Sequence, residues 1–239
     1  ARDSRIRTML EIEAFVDIHQ RWQKVGYPFD HLVPSLATAI GSSGDRPAAL
    51  AELIGIIQND GIRLPVERID YLHFAKGTPF ETTFATIPTK GERILPSEVA
   101  TALRGALGRV VDAGTARRIA GSFQLADGTL LKMGGKTGTG DNRLEKVGRA
   151  GQVISSQALN RTATFVFFIG EKHFGTLTAF VEGSSADKFR FTSALPVQVL
   201  KGMVPLLLPA LDPLQPGECL APGTTTTTER QQLNMIKNQ

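Results

Sequence analysis

The sequence predicts an α/β fold of the α+β kind, an antiparallel sheet flanked by helices, and three observations predict it. Helical apolar periods recur as far as Val111. A glycine-bounded Lys136-Thr137-Gly138 then follows a strand-like run, and two β-rich runs form a hairpin ahead of an apolar helical segment. With 239 residues and 41% hydrophobic content, the chain can bury one substantial core or two small ones.

Taken in order, the first helix is expected over 10–24, where Phe15, Ile18, Trp22 and Val25 form one apolar face that Gly26 and Pro28 terminate. His19 sits at the boundary of that face and is read as a packing residue rather than a base. Residues 34–41, Pro-Ser-Leu-Ala-Thr-Ala-Ile-Gly, form a small-residue segment that turns. Asp45 is expected to cap the next helix, with Pro47 in its first turn, Leu50, Leu53, Ile54 and Ile57 on its buried side, and Asn59-Asp60-Gly61 closing it. Residues 62–90 read as short strands and loops. Ser97 is expected to cap a third helix through Val111, with Val99, Leu103, Ala106, Leu107 and Val110 in helical period and Gly114 at its end. Leu130, Leu131 and Met133 supply the apolar residues of a strand leading to Lys136. Residues 162–170 and 175–183 form a hairpin around Glu171-Lys172-His173-Phe174, with His173 near its tip, and 193–208 pack against the sheet as a helix.

The longest apolar run, 195–211, contains Lys201, Gly202 and three prolines, so it reads as a packed terminal helix rather than a membrane span. Residues 1–211 are taken as the folded portion, and 212–239, rich in Pro, Gly and Thr, as a disordered tail. Cys219 is the only cysteine, which rules out an internal disulfide. The net charge of +4 comes from 27 basic residues scattered among 23 acidic ones, without the aromatic interleaving of a nucleic-acid surface, so no nucleic-acid partner is expected. Glu81, Glu92 and Glu98 are dispersed and give no paired-carboxylate site. No cofactor and no metal ligands are expected.

The chemistry concentrates at residues 134–141, Gly-Gly-Lys-Thr-Gly-Thr-Gly-Asp. Gly134, Gly135, Gly138 and Gly140 remove side chains that would block another backbone, while Lys136 supplies a cation and Thr137 and Thr139 supply hydroxyls. An exposed strand edge there offers N–H groups to an extended peptide, so the segment suits a peptide ending in a carboxylate. Gly-Lys-Thr also ends the phosphate-binding P-loop, but that loop needs a glycine where Leu130 stands, and Gly138 and Gly140 oppose the helix that must follow. A glycine-rich turn without chemistry is the remaining alternative for the motif alone.

The order of blocks resembles the transpeptidase domain of class A penicillin-binding proteins, which are penicillin-recognising serine acyltransferases. Pro34-Ser35-Leu36-Ala37 with Ile40-Gly41-Ser42, the helix from Pro47-Ala48-Ala49-Leu50-Ala51 to Asn59-Asp60-Gly61, and Val110-Val111 before Gly114-Thr115-Ala116 are similar to successive family segments. Lys136-Thr137-Gly138, the hairpin and the terminal helix extend the likeness over residues 10–208. The resemblance implies a β-lactamase/transpeptidase-like fold. In such a site a serine attacks the carbonyl of a terminal D-Ala-D-Ala stem peptide of peptidoglycan, D-Ala leaves, and an amine takes the acyl group; penicillins and other β-lactams meet the same serine. It further implies that Lys136 orders the site and eases entry of the substrate carboxylate. Thr137 and Thr139 donate to that carboxylate, Gly138 lets the substrate backbone approach, and the N–H of Thr139 is an oxyanion-hole donor.

Two family motifs are missing ahead of Lys136: the Ser-x-x-Lys helix with the nucleophile, and the Ser-x-Asn loop. Ser4-Arg5-Ile6 lacks the asparagine, and Ser185-Ala186-Asp187-Lys188 matches Ser-x-x-Lys only after the hairpin, where a polar loop is expected. Arg143 is read as an exposed loop arginine that could otherwise meet a substrate anion. The expectation is a C-terminal portion of a larger periplasmic or envelope enzyme, inactive alone, with nucleophile, glycosyltransferase domain and membrane anchor in the part before it. A non-catalytic peptidoglycan-binding or scaffold module is the alternative, and a β-lactamase or D,D-carboxypeptidase relative the third.

Overall fold

A computed structural model describes residues 2–211 apart from 70, 88 and 150. The expected tail at 212–239, with Cys219, lies outside the described residues. Helix α1 (Arg2–Lys24) begins earlier than its apolar period, and Phe15 is its buried residue. His19 packs at its side, hydrogen-bonded to the Phe29 carbonyl at 2.8 Å. Residues Leu36–Ile40 form a 3-10 helix capped by the Ser35 hydroxyl and closed by Gly41 at φ 104°.

Helix α2 (Pro47–Gln58) starts on proline, whose fixed φ suits a first helical position. Its N-cap is Arg46 rather than Asp45, because the Asp45 carboxylate turns to its neighbour and accepts the Arg46 N–H at 2.7 Å. Asn59, Asp60 (φ 57°) and Gly61 (φ 82°) end the helix as expected. Strands β1 (Ile62–Arg63) and β4 (Glu92–Arg93) pair, and between them β2 (Tyr71–Phe74) and β3 (Thr82–Ala85) make a separate hairpin, braced by His73 and Glu81 at 2.6 Å.

Helix α3 (Ser97–Asp112) has Pro96 at its N-cap. Ser97, expected as the cap, is instead the first helical residue, and its hydroxyl donates to the Asp60 carboxylate at 2.8 and 3.0 Å. Arg104 adds a bond to the Ile57 carbonyl at 2.7 Å, so α2 and α3 are tied end to end. Gly114 follows the helix because a side chain there would meet the Val110 backbone at 2.8 Å.

The main sheet is antiparallel in the order β5 (Met133–Val147), β6 (Val153–Ile169), β7 (His173–Glu182), consecutive as expected. The strand carrying Lys136 starts at Met133, not Leu130, which makes only an isolated bridge with Gln124. β5 and β6 run beyond β7 as a two-stranded ribbon, so Arg143 lies in a strand rather than a loop. Residues 165–169 are buried on both faces: Phe165, Phe167 and Ile169 join Val111, Ile119, Phe123, Val197, Leu200 and Val204, while Val166 and Phe168 join Ile54 and Ile57. That is why the strand is a continuous apolar run instead of an alternating one. The final helix α4 (Ala194–Leu211) is long and apolar enough by composition to cross a membrane, yet Val197, Leu200 and Val204 enter the core. Lys201 ties it to the Arg118 carbonyl at 2.7 Å.

Candidate functional site

The inner half of β5 presents an edge. β6 occupies one side of the strand, and no strand pairs with the other side among the described residues. The Lys132 carbonyl accepts from the Gly170 N–H at 2.7 Å, so Lys132 faces β6. Alternation along an antiparallel strand then turns the N–H and C=O of Gly135, Thr137 and Thr139 to the open edge.

Side chains divide in the same alternating way. Thr137 pairs across the strands with Phe165 and Thr139 with Ala163, so both hydroxyls lie on the α4 face of the sheet. Thr137 is 7% exposed, and its Oγ1 shares a hydrogen bond of 2.6 Å with Thr115 Oγ1 from the turn after α3. Thr139 Oγ1 accepts the Ser193 N–H at 2.9 Å, just before α4. Because that bond uses a lone pair, the Thr139 hydroxyl keeps its proton to donate. Lys136 points the other way, is exposed, and folds its ammonium back onto the edge-facing carbonyl of Thr137 at 2.6 Å. The edge therefore carries a cation on one face, two anchored hydroxyls on the other, and outward N–H groups between them.

The glycines were expected to act together, and they do not. A Cβ on Gly134 would sit 2.4 Å from the Phe168 ring and 3.0 Å from the Gly108 nitrogen; one on Gly135 would sit 2.3 Å from the Val166 carbonyl oxygen. These two make room for the protein's own packing, not for a ligand. Among the described residues, a Cβ on Gly138 would meet nothing within 4 Å, and one on Gly140 would meet only the Thr162 Cβ at 3.9 Å.

Other flagged residues lie elsewhere. Ser185 is in a 3-10 helix (Ser184–Lys188), and its hydroxyl donates to the Glu182 carbonyl at 3.1 Å. The Asp187 carboxylate of that helix holds Arg143 at 2.6 Å and, through this hydrogen bond first, raises the guanidinium's pKa. Glu81 sits in the β2–β3 connection, where the Gly77 N–H first and His73 second hold its carboxyl below the usual value; Glu92 is in β4 and Glu98 in the first turn of α3. His173 opens β7 beside the hairpin turn. Thr115 entered the sequence reading only as part of Gly114-Thr115-Ala116, and Ser193 only as a helix start. A hydroxyl placed directly after a helix-ending glycine was the one local signal for the first, and a backbone N–H leaves no signal in sequence.

No protein-family model matches the chain. It is 26% identical over 128 residues to penicillin-binding protein 1B of Escherichia coli, which is 54% of this chain and 14% of that protein. Penicillin-binding protein 1A of Haemophilus influenzae matches in structure with a TM-score of 0.56 and 18% identity, over 92% of this chain and 34% of the other. PBPA of Mycobacterium tuberculosis matches with a TM-score of 0.50 and 17% identity, over 79% and 42%. The chain thus spans less than half the length of these proteins. These likenesses, with the antiparallel sheet and its flanking helices, show the fold: the chain has the fold of a penicillin-binding protein transpeptidase domain.

Proposed function

We propose that this chain supplies the substrate-binding edge of a peptidoglycan D,D-transpeptidase. One observation carries the reading. Thr139 stands on a strand edge that is unpaired among the described residues, with its hydroxyl anchored by Ser193 and its proton left to donate, beside a second anchored hydroxyl on Thr137 and the Lys136 ammonium. An extended peptide added to that edge meets outward N–H groups along its backbone. Its terminal carboxylate meets hydroxyl donors and a cation, the partners an anion requires on leaving water.

In this proposal the ligand is the D-Ala-D-Ala end of a stem peptide, and β-lactams occupy the same edge. Thr137 and Thr139 hold the carboxylate, and Lys136 lowers the cost of bringing it in. Gly138 leaves the peptide room, and the N–H of Thr139 faces the developing oxyanion once a serine attacks. Removing one such donor typically costs about 2.7–4 kcal/mol of transition-state stabilisation. The serine comes from a Ser-x-x-Lys motif that does not precede Lys136 in this sequence. Residues 1–211 then act as the binding portion of the domain, and the working enzyme sits on the envelope side of a membrane. A fluorescent penicillin is expected to leave this chain unlabelled while labelling an intact parent that carries Ser-x-x-Lys and Ser-x-Asn. Stoichiometric labelling of the chain itself overturns the proposal. A parent gene lacking both motifs instead favours a non-catalytic peptidoglycan-binding module.

A further inference from the structure

The Thr115–Thr137 contact joins residues 22 apart in sequence, and the structure fixes both partners. Thr115 stands between Gly114, pressed against the Val110 backbone, and Ala116, which is fully buried and donates its N–H to the Val110 carbonyl at 3.1 Å. The turn therefore holds the Thr115 side chain against β5. Thr115 itself remains exposed, whereas Thr137 is buried.

A hydroxyl has one proton to donate and two lone pairs to accept with. The shared bond between two hydroxyls can run in either direction. If Thr137 donates to Thr115, its own proton is consumed and an approaching anion meets only lone pairs. If Thr115 donates, the Thr137 proton is free for the anion. A carboxylate can only accept, so it selects the second direction, and chained hydroxyls polarise one another in the same sense.

We propose that Thr115 is a positioning residue for the carboxylate site: by donating to Thr137 Oγ1 it directs the Thr137 proton to the ligand and sets the preference for a charged over a neutral peptide terminus. This rests on the reading of the β5 edge as a peptide site. The test titrates the isotope-labelled chain with N-acetyl-L-lysyl-D-alanyl-D-alanine and with its C-terminal amide, following the Thr137 and Thr139 amide signals by NMR. The chain is expected to prefer the carboxylate. Thr115→Val should reduce that preference about two- to fourfold, because the Thr137 proton stays free without Thr115 and only the polarisation of its bond to a charged acceptor is lost. Thr115→Ser should keep it, and amide binding should not change in either variant. Should Thr115→Val fail to fold, Thr115→Ala takes its place. An undiminished preference without the hydroxyl, or an equal loss for both ligands, overturns the role of Thr115 and leaves the peptide site standing. If the unaltered chain shows no binding of the carboxylate peptide, the peptide-site reading falls and this inference falls with it.

Discussion

Gly134 and Gly135 share a strand with Gly138 and Gly140, yet the two pairs serve opposite surroundings. The first pair lies under the helices and against Phe165 and Phe168, where an added Cβ would overlap ring and backbone atoms. The second lies beyond that cover, with open space at Gly138. The same residue type thus permits dense packing in one half of the motif and leaves room for another molecule in the other. A motif can be continuous in sequence while its energetic role divides where the covering helices stop.

The largest effect that tests this contrast is expected at Gly135. Gly135→Ala forces a methyl onto the Val166 carbonyl, a backbone atom that cannot step aside, and should destabilise the chain by about 1–3 kcal/mol, as overpacking of a full core does. Thermal or urea unfolding measures it, and an unchanged midpoint would break the division. Gly138→Ala should alter stability by no more than about 0.5 kcal/mol, since the new methyl meets no neighbour, while weakening the peptide titration several-fold. A loss of stability matching that of Gly135→Ala would show instead that the whole motif is structural.

The smallest effect concerns the helices that cover the inner half. The Ser97 hydroxyl first, then Arg104, holds the Asp60 carboxyl below its ordinary value, with burial opposing. A carboxyl whose folded pKa is depressed contributes stability that is present above the unfolded aspartate range, about 3.9, and is lost as pH falls through the lower folded value. Asp60→Asn should therefore lower Tm slightly at neutral pH and flatten the dependence on pH below about 4. Unchanged acid sensitivity in the variant would remove Asp60 from the account of how α2 and α3 are joined.

Much of the fold was legible because it rests on local periods. Ile54 and Ile57 recur at helical spacing and are buried as that spacing requires, and the runs around Phe165 and Leu177 pair as a hairpin because a short turn leaves them adjacent. Caps were less legible. Asp45 and Ser97 are both good N-cap residues, but Asp45 bonds to its next neighbour and Ser97 answers a carboxylate 37 residues away. Helix α1 also begins ahead of its apolar period, since backbone hydrogen bonding can continue through residues such as Arg2–Arg7 that bury nothing.

By itself, the sequence determined the helices at 47–58 and 97–112, that Lys136-Thr137-Gly138 lies in a strand ahead of a hairpin, and that neither Ser-x-x-Lys nor Ser-x-Asn precedes it. Only the tertiary structure decided which glycines face the core, which side of β5 is taken by β6, and that Thr115 and the Ser193 N–H fix the two hydroxyls from 22 and 54 residues away. The physical reason is range. Side-chain periodicity is written into neighbouring residues, whereas a hydrogen bond between distant segments depends on packing that brings them to within about 3 Å, and no local pattern records it.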